Sequence, residues 1–217
     1  PTKQASLYVS YAESFHPVLN SFNAEDINGI TGEWDPEEAM QKEAGVKFDF
    51  PAQSLTLNAA VFEIEKSNVI EQTALPNANG VNYWIVVGSI KSRGAEVEFQ
   101  YRPQPHMQFR GGYAYIDAFI SDSLYRAEVG APVRNVPRHG VNLWARYNVP
   151  QGRLKGLGVG VGGIYQSDRY GVTTNNAATQ FTMSSYLKVD TALYYHWRSI
   201  SLSLNIKNVF DKRYLPG

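Results

Sequence analysis

Residues 91–102 read K-S-R-G-A-E-V-E-F-Q-Y-R. From Gly94 onward, small or polar side chains (Gly94, Glu96, Glu98, Gln100, Arg102) alternate with apolar ones (Ala95, Val97, Phe99, Tyr101). A period of two is that of a β-strand with one wet face and one apolar face. A short turn at Pro103–Pro105 follows. Then Met107, Phe109, Tyr113 and Tyr115 share one face of a return strand, with Gln108 and Arg110 on the other.

The same pattern recurs outward from this hairpin. Leu7, Val9 and Tyr11 form one apolar row, and Ala44, Val46, Phe48 and Phe50 another. Leu55, Leu57, Ala59 and Val61 are read as the partner of the second row across a turn at Pro51–Ser54. A phase slip at Glu63-Ile64 predicts a β-bulge. Pro36–Ala39 has the make-up of a helical turn that nothing sustains. Further on, Val141 to Val149, Leu157 to Tyr165, Leu187 to Tyr195 and Ile200 to Ile206 complete the set. Gly158, Gly160 and Gly162 would be costly in a packed core strand. They are explained if a bulky group lies beside them inside a barrel.

About nine strands result, and their connections alternate in length. Those near 51–54, 103–105, 150–153 and 197–199 are short; those near 14–38, 67–90, 117–138 and 168–184 are long. In an up-and-down meander this places every short link on one rim and every long link on the other, the pattern of an outer-membrane barrel. A soluble sandwich has crossing connections that mix the two. Tyr101, Tyr147, Tyr165 and Tyr195 fall near strand ends on the apolar face, where an aromatic girdle belongs. No apolar run reaches the length of a membrane-spanning helix.

Composition narrows the function. The 217 residues carry 20 acidic and 20 basic side chains, a balance unlike that of a nucleic-acid binder. Cysteine is absent and the four histidines are dispersed, so no disulfide, thiolate centre or conventional zinc site is expected, and no catalytic residues are assigned. His196 and Asp190 share a strand face, but no serine completes a triad.

Four motifs in order carry a resemblance. Asn208-Val209-Phe210-Asp211-Lys212-Arg213-Tyr214 is similar to N-[LV]-F-[DN]-K-x-Y, the penultimate-strand signature of TonB-dependent outer-membrane siderophore receptors. Ser92-Arg93-Gly94-Ala95-Glu96 resembles their S-R-G-x-E stretch, and Asn135-Val136-Pro137-Arg138-His139 their N-x-P-x-H element. Trp34-Asp35-Pro36-Glu37 with Lys42-Glu43-Ala44-Gly45 resembles a fourth.

The resemblance implies an all-β, antiparallel up-and-down transmembrane barrel, of which residues 1–217 are the C-terminal part: about nine of 22 strands, without the N-terminal plug, the TonB box or the final strand. Nine strands cannot close such a barrel, so an edge is left open. It further implies uptake of a ferric siderophore across the outer membrane, driven through the plug by the TonB-ExbB-ExbD complex. The wall would be bathed in lipid and lipopolysaccharide. A passive porin or substrate-specific channel is the alternative. Iron would travel as a ferric siderophore chelate, its coordination shell already filled, so the protein supplies no metal ligand and binds no cofactor of its own.

Such a receptor needs aromatic surfaces and hydrogen-bond donors for a bulky chelate. Trp34, Tyr83, Trp84, Tyr125, Arg126, Arg169 and Tyr170, on the long connections, are the candidates. Structural roles fall to the motif residues. Arg93 and Glu96 would pair at a strand start, and Gly94 would relieve a crowded backbone. Pro137 and His139 would set a loop exit, while Asn208, Phe210, Asp211 and Tyr214 would close strand nine, Asp211 capping a turn. For lumen charges such as Glu96, Glu98, Arg102, Arg110, Arg146 and Lys188, contact with the plug and mutual pairing both stay open.

Overall fold

A computed structural model describes residues 4–17, 35–76, 80, 82–123 and 126–215. Nine strands form one antiparallel sheet in which each pairs with the next in the order of the chain. They are β1 (Ala5–His16), β2 (Glu37–Phe50), β3 (Leu55–Pro76), β4 (Asn82–Tyr101), β5 (Met107–Ser123), β6 (His139–Asn148), β7 (Leu157–Gln166), β10 (Tyr186–Trp197) and β11 (Ile200–Ile206). A two-stranded ribbon, β8 (Arg169–Tyr170) and β9 (Thr182–Met183), stands in the connection between β7 and β10. There is no α-helix among the described residues.

The register turns the period of two into two continuous faces. On one face Leu7 opposes Val46, Val46 opposes Ala59, Ala59 opposes Val97 and Val97 opposes Tyr113. The row goes on through Val141 and Tyr165 to Leu187. These side chains face outward: Val9 is 85 % exposed, Val61 58 % and Leu193 53 %. Only Ala60, Val69, Ala131 and Ala192 are buried hydrophobics among the described residues, and no large side chain is fully buried. Among the described residues no second sheet packs on the apolar rows. A surface of that extent is stable only against an apolar medium, and the wall of a membrane barrel meets one.

On β5 the apolar face runs from Met107 to Tyr115, ~26 Å along a tilted strand at the usual rise, then gives way to Asp117. Tyr101, Tyr147 and Tyr195 sit at the short-turn ends of their strands, and Tyr165 and Tyr115 toward the long-loop ends. Above the band Arg93 donates to Asp117 at 3.2 Å and Lys91 pairs with Glu65 at 3.2 Å.

The opposite, inner face mixes charges with close glycine–aromatic pairs. Tyr8 lies on Gly45, where an added Cβ would come within 2.5 Å of the ring; Phe62 lies on Gly94 at 2.7 Å; Trp144 lies on Gly160 at 2.5 Å. The bulky group beside the β7 glycines is thus the indole of the neighbouring strand.

Four local expectations are revised. Glu37–Ala39 is the start of β2, paired with β1 through His16–Glu37, and not a helical turn. Pairing of β3 with β4 passes unbroken through Glu63 and Ile64; the register shifts after Lys66, where Asn68 takes a φ of 54°. Most of 68–88, expected as a connection, is strand, so β3 and β4 form a hairpin of 22 and 20 residues. The link between β6 and β7 is 149–156, turned by Gly152 (φ 82°) and Gly156 (φ 92°).

Candidate functional site at the long-loop rim

Arg169 organises this rim. Its residue is 3 % exposed. Its Nε donates to Asn135 Oδ1 at 2.7 Å, a second guanidinium nitrogen donates to the Leu215 carbonyl, and its plane lies 5.7 Å from the Tyr186 ring. Tyr214 stacks on the Tyr186 ring, with centroids 4.4 Å apart at 17°. Asn135, with φ 62°, donates its N–H to the Tyr170 carbonyl at 2.7 Å. One buried guanidinium therefore ties the loop before β6, the ribbon, β10 and the C-terminal segment. Its planar fork of donors suits several fixed acceptors at once. Placed here, Arg169 is a strut between these segments.

Both motif segments converge on it. Asn208 (φ 51°) donates its N–H to Asp190 Oδ1 at 2.7 Å, and its side chain brackets Lys212, accepting from the N–H at 3.0 Å and donating to the carbonyl at 3.2 Å. Asn208, not Asp211, is thus the capping residue, and β11 ends at Ile206, before the motif. Phe210 is 76 % exposed. His139 accepts through its carbonyl from Ser167 N–H at 2.9 Å and donates its own N–H to Ser167 Oγ at 3.1 Å. Its Nδ1 is 2.9 Å from the Tyr113 hydroxyl. Pro137 lies between the Asn135 anchor and the start of β6, in the loop exit.

Arg93 does not pair with Glu96. Three residues apart on a strand, the two point to opposite faces; Arg93 reaches outward to Asp117 and lies 5.4 Å from the Phe119 ring, while Glu96 faces inward. Gly94 sits between the Phe62 ring and the Tyr115 carbonyl, with no room for a Cβ.

The two loops are also joined directly. Asn175 Nδ2 donates to the carbonyls of Ala127 and Val129 at 2.9 and 3.0 Å, and Arg134 N–H donates to Thr173 Oγ1 at 3.0 Å. Beneath them a cavity of about 260 Å³ is lined by Ile116 and Ala118 from β5, Val133 and Val136 from the loop, and Asp168 and Tyr170.

Of the ligand candidates, Tyr170 lines this cavity, and Arg126 opens the exposed 3-10 turn Arg126–Glu128 on the adjoining loop. Trp34 and Tyr125 lie outside the described residues. Tyr83 and Trp84 belong to β4, and only their backbone is described. Asn175 and Tyr186 went unnoticed in the sequence, where nothing marks a loop amide as a tie between loops or a strand-end tyrosine as the seat of a buried guanidinium. Among the described residues no group of three His, Asp or Glu is placed to hold a metal ion.

A one-layer sheet with a lipid-facing apolar side, short turns on one rim and interlocked loops on the other defines a section of an outer-membrane β-barrel wall. The sequence profile described as "TonB dependent receptor-like, beta-barrel" matches residues 1–209, and the chain belongs to that family. It is 33 % identical to the probable TonB-dependent siderophore receptor PiuA of Acinetobacter baumannii over 99 % of this chain and 29 % of that protein. It is 30 % identical to the ferrichrome outer membrane transporter/phage receptor of Escherichia coli K12, over 97 % of this chain and 27 % of the other. Among solved structures, ferric-pyoverdine-bound FpvA of Pseudomonas aeruginosa superposes with a TM-score of 0.75 at 26 % identity, covering 99 % of this chain and 28 % of that one. The chain spans less than a third of the length of these relatives.

Proposed function

We propose that this chain is the C-terminal wall of an outer-membrane receptor that binds a ferric siderophore at its long-loop rim and imports it by TonB-coupled transport. The plug and TonB box would lie in the part of the receptor outside residues 1–217. The observation that carries the reading is the family match over residues 1–209 on a sheet whose apolar face is open to lipid. The relatives' names support the cargo class: siderophore receptor, ferrichrome transporter, ferrioxamine B receptor. An iron already enclosed in its chelate asks for stacking surfaces and hydrogen-bond donors, and the rim offers Tyr170, which lines a cavity there, and Arg126 on the adjoining loop. Transport, not catalysis, is the activity.

The test is a tryptophan-fluorescence titration of the full-length receptor with a panel of ferric hydroxamate, catecholate and carboxylate chelates. A ferric hydroxamate or related chelate is expected to bind with a Kd below about 1 μM. Flat traces across the panel would remove the siderophore reading.

A further inference from the structure

Two neighbouring links of the short-turn rim differ from the others. Those at 51–54 and 103–105 carry no charged residue. Those at 149–156 and 198–199 carry Arg153, Lys155 and Arg198, and no acidic residue occurs from 139 to 167 or from 191 to 210. None of the three cations makes an ion pair among the described residues. The two links lie side by side, because His196 N–H donates to the Gly156 carbonyl at 2.8 Å. A cleft of about 900 Å³ opens where they meet, walled in part by Lys155, Trp197, Arg198, Ser201 and Leu202, and its lining holds no carboxylate.

These cations stand beside apolar side chains that face the membrane. Tyr195 and Trp197 end the outward row of β10, opposed on β11 by Leu202 and Ile200. Trp197 is 52 % exposed and Leu202 61 %. The Arg198 guanidinium lies 5.0 Å from the centre of the Trp197 ring, so its charge is held on an outward side chain. Arg198 has a φ of 51°, where glycine or asparagine sits with less strain. The turn thus keeps a long cationic side chain against its backbone preference. Leu154 stands exposed between Arg153 and Lys155, an apolar tip flanked by cations, as in segments that dip into a headgroup layer.

We infer that this corner of the wall binds an anionic phospholipid of the leaflet at the short-turn rim, its phosphodiester at Lys155 and Arg198 and its acyl chains along Trp197, Leu202 and Leu204. Three observations favour that occupant. The site is amphiphilic, with unpaired cations and a serine hydroxyl next to exposed outward apolar side chains, so it matches a charged head joined to a hydrocarbon tail. A zwitterionic lipid brings a cation of its own, and no carboxylate is there to receive it. The charge is confined to two adjacent links, whereas an aromatic girdle that holds any lipid also passes Tyr101, beside a turn without charge. Lipopolysaccharide belongs to the leaflet at the other rim, where the long loops are. The inference rests on the chain being a barrel wall and not on the identity of the cargo.

The experiment is native mass spectrometry of the full-length receptor in detergent, titrated with phosphatidylglycerol or with phosphatidylcholine of the same acyl chains. The first phosphatidylglycerol is expected to bind at least about tenfold more tightly, since each cation beside an anionic headgroup is worth about fivefold. Lys155→Gln combined with Arg198→Asn should lower that preference by about 5- to 25-fold. Both side chains are exposed, and asparagine tolerates the left-handed turn, so the fold is kept. Arg93→Gln combined with Arg138→Gln, at the opposite rim, should leave the preference unchanged. Equal binding of the two lipids would overturn the inference, as would a preference that survives the first pair of substitutions or disappears with the second. Displacement of the lipid by glycerol phosphate alone would assign the cleft to a soluble anion and overturn it. Lys155 that resists amine acylation in lipid-free detergent would mean that another part of the receptor covers the site, with the same consequence. The chelate titration, run on the same preparation, reports separately on the cargo.

Discussion

Gly160 shows how one residue sets the inner wall. Its missing side chain is the seat of the Trp144 indole, and the Tyr194 ring approaches from the other side at 3.2 Å from where a Cβ would be. Tyr8, Phe62 and Trp144 each cover a glycine of the following strand, which shields that strand's backbone without a packed core. Gly160→Ala would push the indole from its seat, and overpacking of this kind costs about 1–3 kcal/mol. Gly140 is the control, since a Cβ there meets nothing within 4 Å. The expected outcome is a lower unfolding temperature for Gly160→Ala, read from the mobility of unheated receptor on gels, with Gly140→Ala unchanged. Equal behaviour of the two variants would show that the glycine–aromatic seat is not a source of stability.

At the scale of the strand, alternation made the fold legible, because side-chain parity is fixed by the backbone. The apolar rows, their partners and the sorting of short and long links follow from it. What parity does not encode is where a strand stops. The ends of β3 and β4 meet at an Asn/Gly-rich tip, Asn77 to Asn82, and that tip makes the whole stretch read as loop. The bulge was misplaced for a related reason: a change from apolar to acidic at Glu63 marks the edge of the lipid band, not a change of register. Among the site residues, Arg93 and Glu96 were paired by nearness in sequence although a strand separates them. The strut at Arg169 depends on contacts across about 34 and 46 positions of the chain, and local pattern is silent on those. The parity itself can be tested at Val161, the midpoint of the outward row of β7 and 48 % exposed. An arginine on the lipid face at the midplane costs about 2–4 kcal/mol. Val161→Arg should lower the urea midpoint of the receptor in lipid vesicles accordingly. Asn58→Arg, on the inner face between Lys47 and Glu98, should leave the midpoint nearly unchanged. A reversed order would mean that the lipid-facing side has been assigned the wrong way round.

For the whole molecule, the two rims are built for different work. The short-turn rim ends in tight links. The long-loop rim is braced, with two loops, the ribbon and the C-terminal segment converging on Arg169. A braced rim presents its surfaces in one arrangement, so less ordering cost falls on the binding of a bulky cargo. Arg169→Gln tests the brace. It removes the forked donor and with it the hydrogen bonds to Asn135 and Leu215, each worth about 1 kcal/mol. If the local opening free energy falls by about 2 kcal/mol, amide hydrogen exchange should speed up about 30-fold. The increase is expected in 131–138, 168–170 and 208–215, with β2, β3 and β4 unaffected, because their pairing does not pass through the guanidinium. Arg169→Lys keeps the charge without the fork and should fall between the two. Exchange that rises evenly along the chain would make Arg169 part of the global fold, and exchange that rises nowhere would mean the loops hold together without it.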